Sequence, residues 1–334
     1  MAITYAAEPY QAHHTEMHLG ITERAYANHP AHARPELDAA FHRQLHGGAN
    51  PAGAALMMTA REDGHCVGVL SSIPMRFKTR AGIAMTGYQG TALAVDPGAQ
   101  AQFIGLRLSR LLIRSANALS NCFPYGYPNR NAHRFYVRAG SVLAQVVPTY
   151  VFPRTPCRAS YKDPSGMRWT FEAINSPDEL DPSEFIDSPL AIEGFVRDRA
   201  YFDWRFGGDA AARYRFVFCR AEEKSSSFIV ACTEHRMSGF PFTILVEGYP
   251  SPFLDHFAIA VRAATLTATH KTIRFVYATT NLARRRPEIR WPKGVEIPTR
   301  FHPRPFELYA HPEGAAPTDE VGLSLALTGD WLGF

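Results

Sequence analysis

Residues 91–112 read TALAVDPGAQAQFIGLRLSRLL, an apolar run that stops at Asp96-Pro97-Gly98 and gives way to a helical stripe. Ile104, Leu108, Leu111, Leu112, Ser115 and Leu119 recur at the intervals of one helix face. A strand that turns through small residues into a helix aims backbone N–H groups and the positive end of the helix dipole at one point. Such a turn is an anion site, and it needs small residues so that phosphates approach closely.

Upstream, ALMMTARED, CVGVLSSIPMRF and GIAMTGYQGTALAV are strand-like runs separated by EDGH and KTRAG, which predicts an antiparallel meander. Before it, Met17, Ile21 and Ala25, then Leu37, Ala40, Phe41 and Leu45, predict two short helices. Downstream, NCFPYGY reads as a strand. Pro128-Asn129 opens a helix carrying Ala132, Phe135, Tyr136 and Ala139, with Gly140 as its stop, and SVLAQVVPTYVF reads as one strand.

The polar, turn-rich residues 156–166 mark a domain boundary. Beyond them YRFVFCR, SSFIVACTE and GFPFTILVEG read as strands, Leu254, Phe257, Ala258, Val261 and Ala264 as a helix, and TIRFVYA as a strand leading into Thr280-Asn281. Both halves thus carry three strands, a helix and a strand, the pattern of a diverged tandem repeat.

The chain has 334 residues, 46% hydrophobic and 20% charged, enough for two packed domains of about 150 residues each. Between Cys66 and Thr155 stand ten Lys or Arg and one carboxylate, Asp96, a local charge of +9 that leaves −5 for the remainder. This basic segment suits an anionic ligand such as a nucleotide pyrophosphate, an acidic protein that carries one, or simply a solvated face. Cys66, Cys122, Cys157, Cys219 and Cys232 are scattered without a C-x-x-C pair and read as reduced thiols. MAITYAAEPYQAHH lacks a basic segment followed by an apolar one, and no run reaches about 18 apolar residues, so a cytoplasmic protein without a membrane partner is expected.

The first half resembles the GNAT N-acetyltransferase superfamily. TALAVDPGAQAQFIGLRLSRLL is similar to its strand, Pro-containing turn, Q/R-x-x-G-x-G/A loop and helix, and PNRNAHRFYVRAG places Asn129, Ala132, Tyr136 and Gly140 on its N-x-x-A-x-x-x-Y-x-x-x-G pattern. RDRAYFDWRF, residues 197–206, resembles the R-D-x-x-Y-x-x-W-R-[FY] signature that opens the second half of two-domain members. The resemblance implies an α/β (α+β) tandem GNAT fold with a mixed, mostly antiparallel sheet flanked by helices in each half. Residues 1–155 would hold the acyl-CoA cleft. Residues 165–334 would repeat the fold without a phosphate loop, because VEGYPSPFLDHF passes from strand to helix directly.

It further implies acetyl-CoA or another acyl-CoA as cofactor, with Leu93, Ala94 and Val95 offering backbone groups to the pantetheine arm. Gln100, Ala101, Gln102, Phe103, Ile104 and Gly105 would form the loop, Asn129 would share the cleft, and Tyr136 would protonate the departing thiolate. Phe103 stands where the family has its first glycine. Tyr88, Gln89 and His133 are candidates for binding the acceptor or taking its proton, as is a carboxylate of the other half such as Glu247.

His14 and His18 have the i, i+4 spacing of a zinc pair, but without a third ligand or the HExxH order they read as a solvated helix surface, and no metal is expected. Arg284-Arg285-Arg286, continued by Arg290, Lys293, Arg300 and Arg304, is interleaved with prolines and reads as a surface loop, with no nucleic-acid partner expected. No G-x-S-x-G elbow or P-loop is present. Three functions remain open: an N-acyltransferase that serves a small-molecule amine from CoA or an acyl carrier protein, a GNAT-fold enzyme of specialised biosynthesis that no longer uses acetyl-CoA, and a non-catalytic binding module.

Overall fold

The strand that turns at Asp96 lies at the centre of one of two sheets. In the computed structural model the described residues are 2–26, 39–47, 49–154, 159–184, 186–187, 194–237, 240–266, 275–298, 306–314, 316, 318 and 321. Leu37, Cys157, Arg300, Arg304 and the C-terminal LTGDWLGF lie outside them.

The first part of the chain forms β1 (Ile3–Pro9), α1 (His13–Ala25), α2 (Ala39–His46), β2 (Leu56–Glu62), β3 (His65–Lys78) and β4 (Ala84–Val95). Next come α3 (Ile104–Asn117), β5 (Cys122–Gly126), α4 (Arg130–Arg138), β6 (Val142–Val147) and β7 (Thr149–Pro153). After these follow β8 (Ser160–Lys162), β9 (Arg168–Ile174), β10 (Gly194–Phe195), α5 (Arg199–Phe206), β11 (Arg215–Ala221), β12 (Phe228–Met237) and β13 (Phe240–Tyr249). The last elements are α6 (Pro252–Asp255), α7 (Phe257–Ala264), β14 (Phe275–Thr279), α8 (Leu282–Arg285), β15 (Val295–Glu296) and β16 (Phe306–Ala310).

One sheet has the order β1-β2-β3-β4-β5-β16-β6 with β10 on β3, and the other β15-β7-β14-β13-β12-β11-β9-β8. Among the described residues only the β4–β5 and β13–β14 pairs are parallel, so both sheets are mixed, mostly antiparallel and flanked by helices, as the resemblance implies. Edge strand β1 escapes periodicity because most of its residues stay exposed or half-exposed. The run 141–152, expected as one strand, is two. Pro148 has no N–H to give a ladder, and its carbonyl accepts the Thr280 N–H at 2.9 Å. β7 then pairs with β14, while β16 crosses into the first sheet between β5 and β6. The two sheets therefore exchange strands across residues 156–166.

Beneath α3, Ile104, Leu108 and Leu112 pack on Met58, Ala60, Leu70 and Tyr88. Each buried aliphatic side chain contributes about 1.5–3 kcal/mol. The stripe ends at Asn117, which leaves Leu119 outside the helix and 42% exposed. α1 covers the opposite face, with Ile21 on Val69 and Ala94. Gln44 of α2 ties this layer to α5: its Nε2 donates to the carbonyls of Trp204 (2.6 Å) and Gly207 (2.9 Å), and its Oε1 accepts from Ala210 N (2.9 Å). Cys66, Cys122, Cys219 and Cys232 form no disulfide with one another. No helix among the described residues is long and apolar enough to cross a membrane.

The expectation of a solvated surface at His14 and His18 is overturned. Both are fully buried, because α2 presents His42 and His46 to the same face of α1. The His42 ring stacks on His46 at 4.1 Å and meets the edge of His18 at 4.6 Å, and Thr15 Oγ1 lies 3.1 Å from His42 Nδ1. Burial lowers His14, His18, His42 and His46, taking His18 to about 3 and His46 to about 4. Unfolded histidines take up protons near pH 6.5 and these do not, so the stability they confer is complete above pH 6.5 and lost as pH falls toward 4. The loss is about 1.4 kcal/mol per pH unit for each histidine that stays neutral. The thermal midpoint should fall steadily from pH 7 to pH 5, and His18→Leu should flatten that slope. A midpoint level across this range would refute the account.

Candidate active site at the parting of two strands

β4 and β5 run parallel from Thr86 and Cys122 to Gly90 and Gly126 and then separate. A bulge opens the fork: Ala92 takes φ 48°, and the β3–β4 register shifts between Val69 and Ser71. Asp96 N donates to Val67 O of β3, so alternation turns Ala94 toward β3 and Leu93 and Val95 toward the fork. Their carbonyls are held by side chains: Tyr26 Oη donates to Leu93 O at 3.1 Å and Gln100 Nε2 to Val95 O at 3.3 Å. A chain of amides entering the fork could replace both donors.

Tyr136 closes the base of the fork. Asn129 starts α4, its Oδ1 accepting the Ala132 N–H at 2.9 Å, and so serves the cleft by fixing the helix. Two turns later the Tyr136 hydroxyl donates to Gly90 O at 3.2 Å. A Cβ added at Gly90 or Gly126 would collide with that hydroxyl, so both positions need glycine for close approach rather than for conformation. Desolvation raises the phenol well above its usual range and keeps it protonated.

His133 lies one turn before Tyr136. Its Nε2 is 2.7 Å from Tyr309 Oη, whose O–H donates to Glu307 Oε2 at 3.3 Å, and the Tyr309 ring is 6.4 Å from that of Tyr136. Tyr309 is pushed up to about 12 by desolvation and by Glu307. Tyr309 pairs with Gly126, so β16 brings Tyr309, 176 positions beyond His133, to the fork together with Glu307. FELYA is a short strand with nothing local to mark it as part of this site.

The loop departs from a phosphate cradle. Residues Pro97–Gln102 form a 3-10 turn capped by Asp96, whose Oδ1 accepts the Gly98 N–H (3.3 Å) and whose Oδ2 accepts from Arg24 Nε (2.8 Å). The Arg24 hydrogen bond holds the Asp96 carboxyl below the usual range. The Ala99 N–H goes to Asp96 O. Phe103 takes the left-handed conformation, φ 55° and ψ 25°, with its ring 61% exposed. Ile104 is core, Gly105 sits against Leu93 and Phe135, and Gln102 is exposed. The Gly98 amide that Asp96 occupies lies before Gln100–Gly105, but within the loop Phe103 puts a large side chain where phosphates need small residues, so these residues do not fit a nucleotide pyrophosphate. The fork behind them offers the Leu93 and Val95 carbonyls to a chain of amides.

Tyr88 does not join the fork but lies in the apolar layer beneath α3. Gln89 points to the opposite face of the sheet, where Tyr125 Oη donates to its Oε1 at 3.2 Å. Deeper on that face, Arg197 Nε and Glu247 Oε2 form a buried ion pair at 3.0 Å, close enough to Tyr125, Tyr127 and Tyr201 for Arg197 to feel all three. Desolvation raises the Glu247 carboxyl above the usual range against the pull of Arg197. The corresponding fork of the second sheet is filled: β13 ends at Tyr249, α6 begins at Pro252, and the Phe253 ring packs on Gly248. Among the described residues no group of three or more His, Cys, Asp or Glu is arranged to hold a metal. The run Arg284–Arg286 is ion-paired, Arg284 to Glu296 and Arg286 to Asp255.

Left-handed backbone costs a non-glycine residue about 1–2 kcal/mol, and glycine returns part of that gain through the entropy of the unfolded chain. Phe103→Gly should therefore leave the thermal midpoint unchanged or slightly raised. A drop of several degrees would mean that the exposed ring holds the turn.

No family model matches the chain, and neither does any curated protein sequence. Solved structures do match. A GCN5-related N-acetyltransferase from Anabaena variabilis superimposes with a TM-score of 0.57 at 11% identity, over 92% of this chain and 72% of that one. Another from Kribbella flavida gives 0.52 at 10% identity, over 92% and 71%. A conserved protein of unknown function from Enterococcus faecalis gives 0.58 at 11% identity, over 92% and 72%. With its paired mixed sheets, parallel central strands and opened fork, the chain has the tandem GNAT fold.

Proposed function

We propose that the protein is an N-acyltransferase that moves an acyl group from a pantetheine thioester to an amine of a small molecule. The observation that carries this reading is the Tyr136 hydroxyl held against Gly90 O at the base of the fork. The amine nitrogen attacks the thioester carbonyl, a C–N bond forms, and the C–S bond breaks with its electron pair on sulfur. Tyr136 Oη gives its proton to that sulfur. The arm enters over α3 and α4, so the acceptor approaches from the face of Gln89 and Tyr125. There Glu247, with its raised carboxyl, is the group we assign to take the proton lost by nitrogen.

The loop supports a donor without a nucleotide, which also fits an enzyme of specialised biosynthesis that has left acetyl-CoA behind. Release of free thiol from an acyl-pantetheine thioester, assayed against a panel of amines, distinguishes both readings from a non-catalytic module. Tyr136→Phe should lower this release by roughly a hundredfold or more. Unchanged turnover would end the acid assignment.

Glu247 works only when deprotonated, so the rate should fall as pH drops through its raised value. Glu247→Gln, checked for folding by circular dichroism because it leaves Arg197 without its partner, should be slow at every pH and lack that acid limb. An unaltered pH profile would exclude Glu247 as the base.

A further inference from the structure

From Pro97 to Gly140 the sequence holds six arginines and no Asp or Glu. Arg107, Arg110 and Arg114 are exposed on α3 at helix-face spacing, and Arg134 and Arg138 are exposed on α4 four residues apart. Arg110 Nη2 donates to Arg138 O at 3.3 Å, which joins the two helices into one surface. Arg107 lies over the Tyr5 ring and Arg134 over that of Phe135. None of the five has a carboxylate partner among the described residues, whereas Arg24, Arg76, Arg284 and Arg286 all do. Phe103, which caps the start of α3, and Val137 of α4 are 61% and 49% exposed. Exposed apolar side chains ringed by arginine have the composition of a docking surface.

The same two helices follow the strands of a fork that offers its carbonyls to a pantetheine-like arm, and α3 is entered through a loop in which Phe103 stands where a phosphate would need a small residue. We propose that the acyl donor is a small acidic carrier protein, docked on these arginines, whose phosphopantetheine arm reaches through the fork to Tyr136. The proposal rests on the acyltransferase reading. It replaces the nucleotide's anchorage in the loop by charge pairing across α3 and α4, with Phe103 and Val137 as apolar contacts.

Fluorescence anisotropy with a labelled, phosphopantetheinylated acyl carrier protein tests it without knowledge of the acceptor. The holo-carrier should bind more tightly than acetyl-CoA and several-fold more tightly than the apo-carrier that lacks the arm. Arg110→Glu with Arg114→Glu should weaken binding roughly tenfold or more. Turnover of free acyl-pantetheine by that variant should be unchanged, which also reports that it has folded. Arg107→Glu with Arg134→Glu provides a second, independent pair. Tighter binding of acetyl-CoA, or wild-type carrier affinity in both charge-reversed variants, would overturn the proposal. Thiol release from acyl-pantetheine is read separately. Release without carrier binding removes the carrier and keeps the acyltransferase, while carrier binding without release removes the acyltransferase and, with it, the donor role.

Discussion

The cleft depends on the close approach of a tyrosine hydroxyl to two backbone segments at Gly90 and Gly126. Any side chain at either glycine would expel Tyr136, and without Tyr136 the point where β4 leaves β5 would lie open. One contact thus sets the floor of the fork and removes the hydroxyl from water. It also keeps that hydroxyl protonated where a thiolate would form. Structure and chemistry are joined in the same few atoms, so the geometry cannot relax without changing the acidity.

A second constraint acts at longer range. β7 leaves the first sheet for the second, and β16 returns from the second half to the first. This exchange places Glu307 and Tyr309 beside His133, while the buried Arg197–Glu247 pair acts electrostatically on Tyr125, the partner of Gln89. Residues distant in sequence thus stand beside the first fork, whereas the fork of the second sheet is filled by Phe253.

Much of this was legible locally. The strand ending at Val95, the helix beginning at Ile104 and the helix bearing Tyr136 all follow from periodicity and turn chemistry, and the parallel halves follow from repeated element order. Three features were not. Phe103 stands where the family has a glycine, and after the 3-10 turn it takes the left-handed conformation that a glycine would take, which no local pattern announces. His14 and His18 were read from their own helix alone, whereas the partner face on α2 decides their burial. Glu307 and Tyr309 could not be found because only the strand exchange brings them to the site. In each case a long-range contact or a neighbouring turn outweighs the local signal.

The strand exchange also bears on how the protein is made. β5 and β6 are completed by residue 147, but the strand that lies between them is not translated until residue 310. Throughout that interval the nascent first sheet has a gap the width of one strand, bordered by two edges whose N–H and C=O groups face each other without a partner. The slot is closed only by Phe306–Ala310, a strand that follows every strand of the second sheet in the chain.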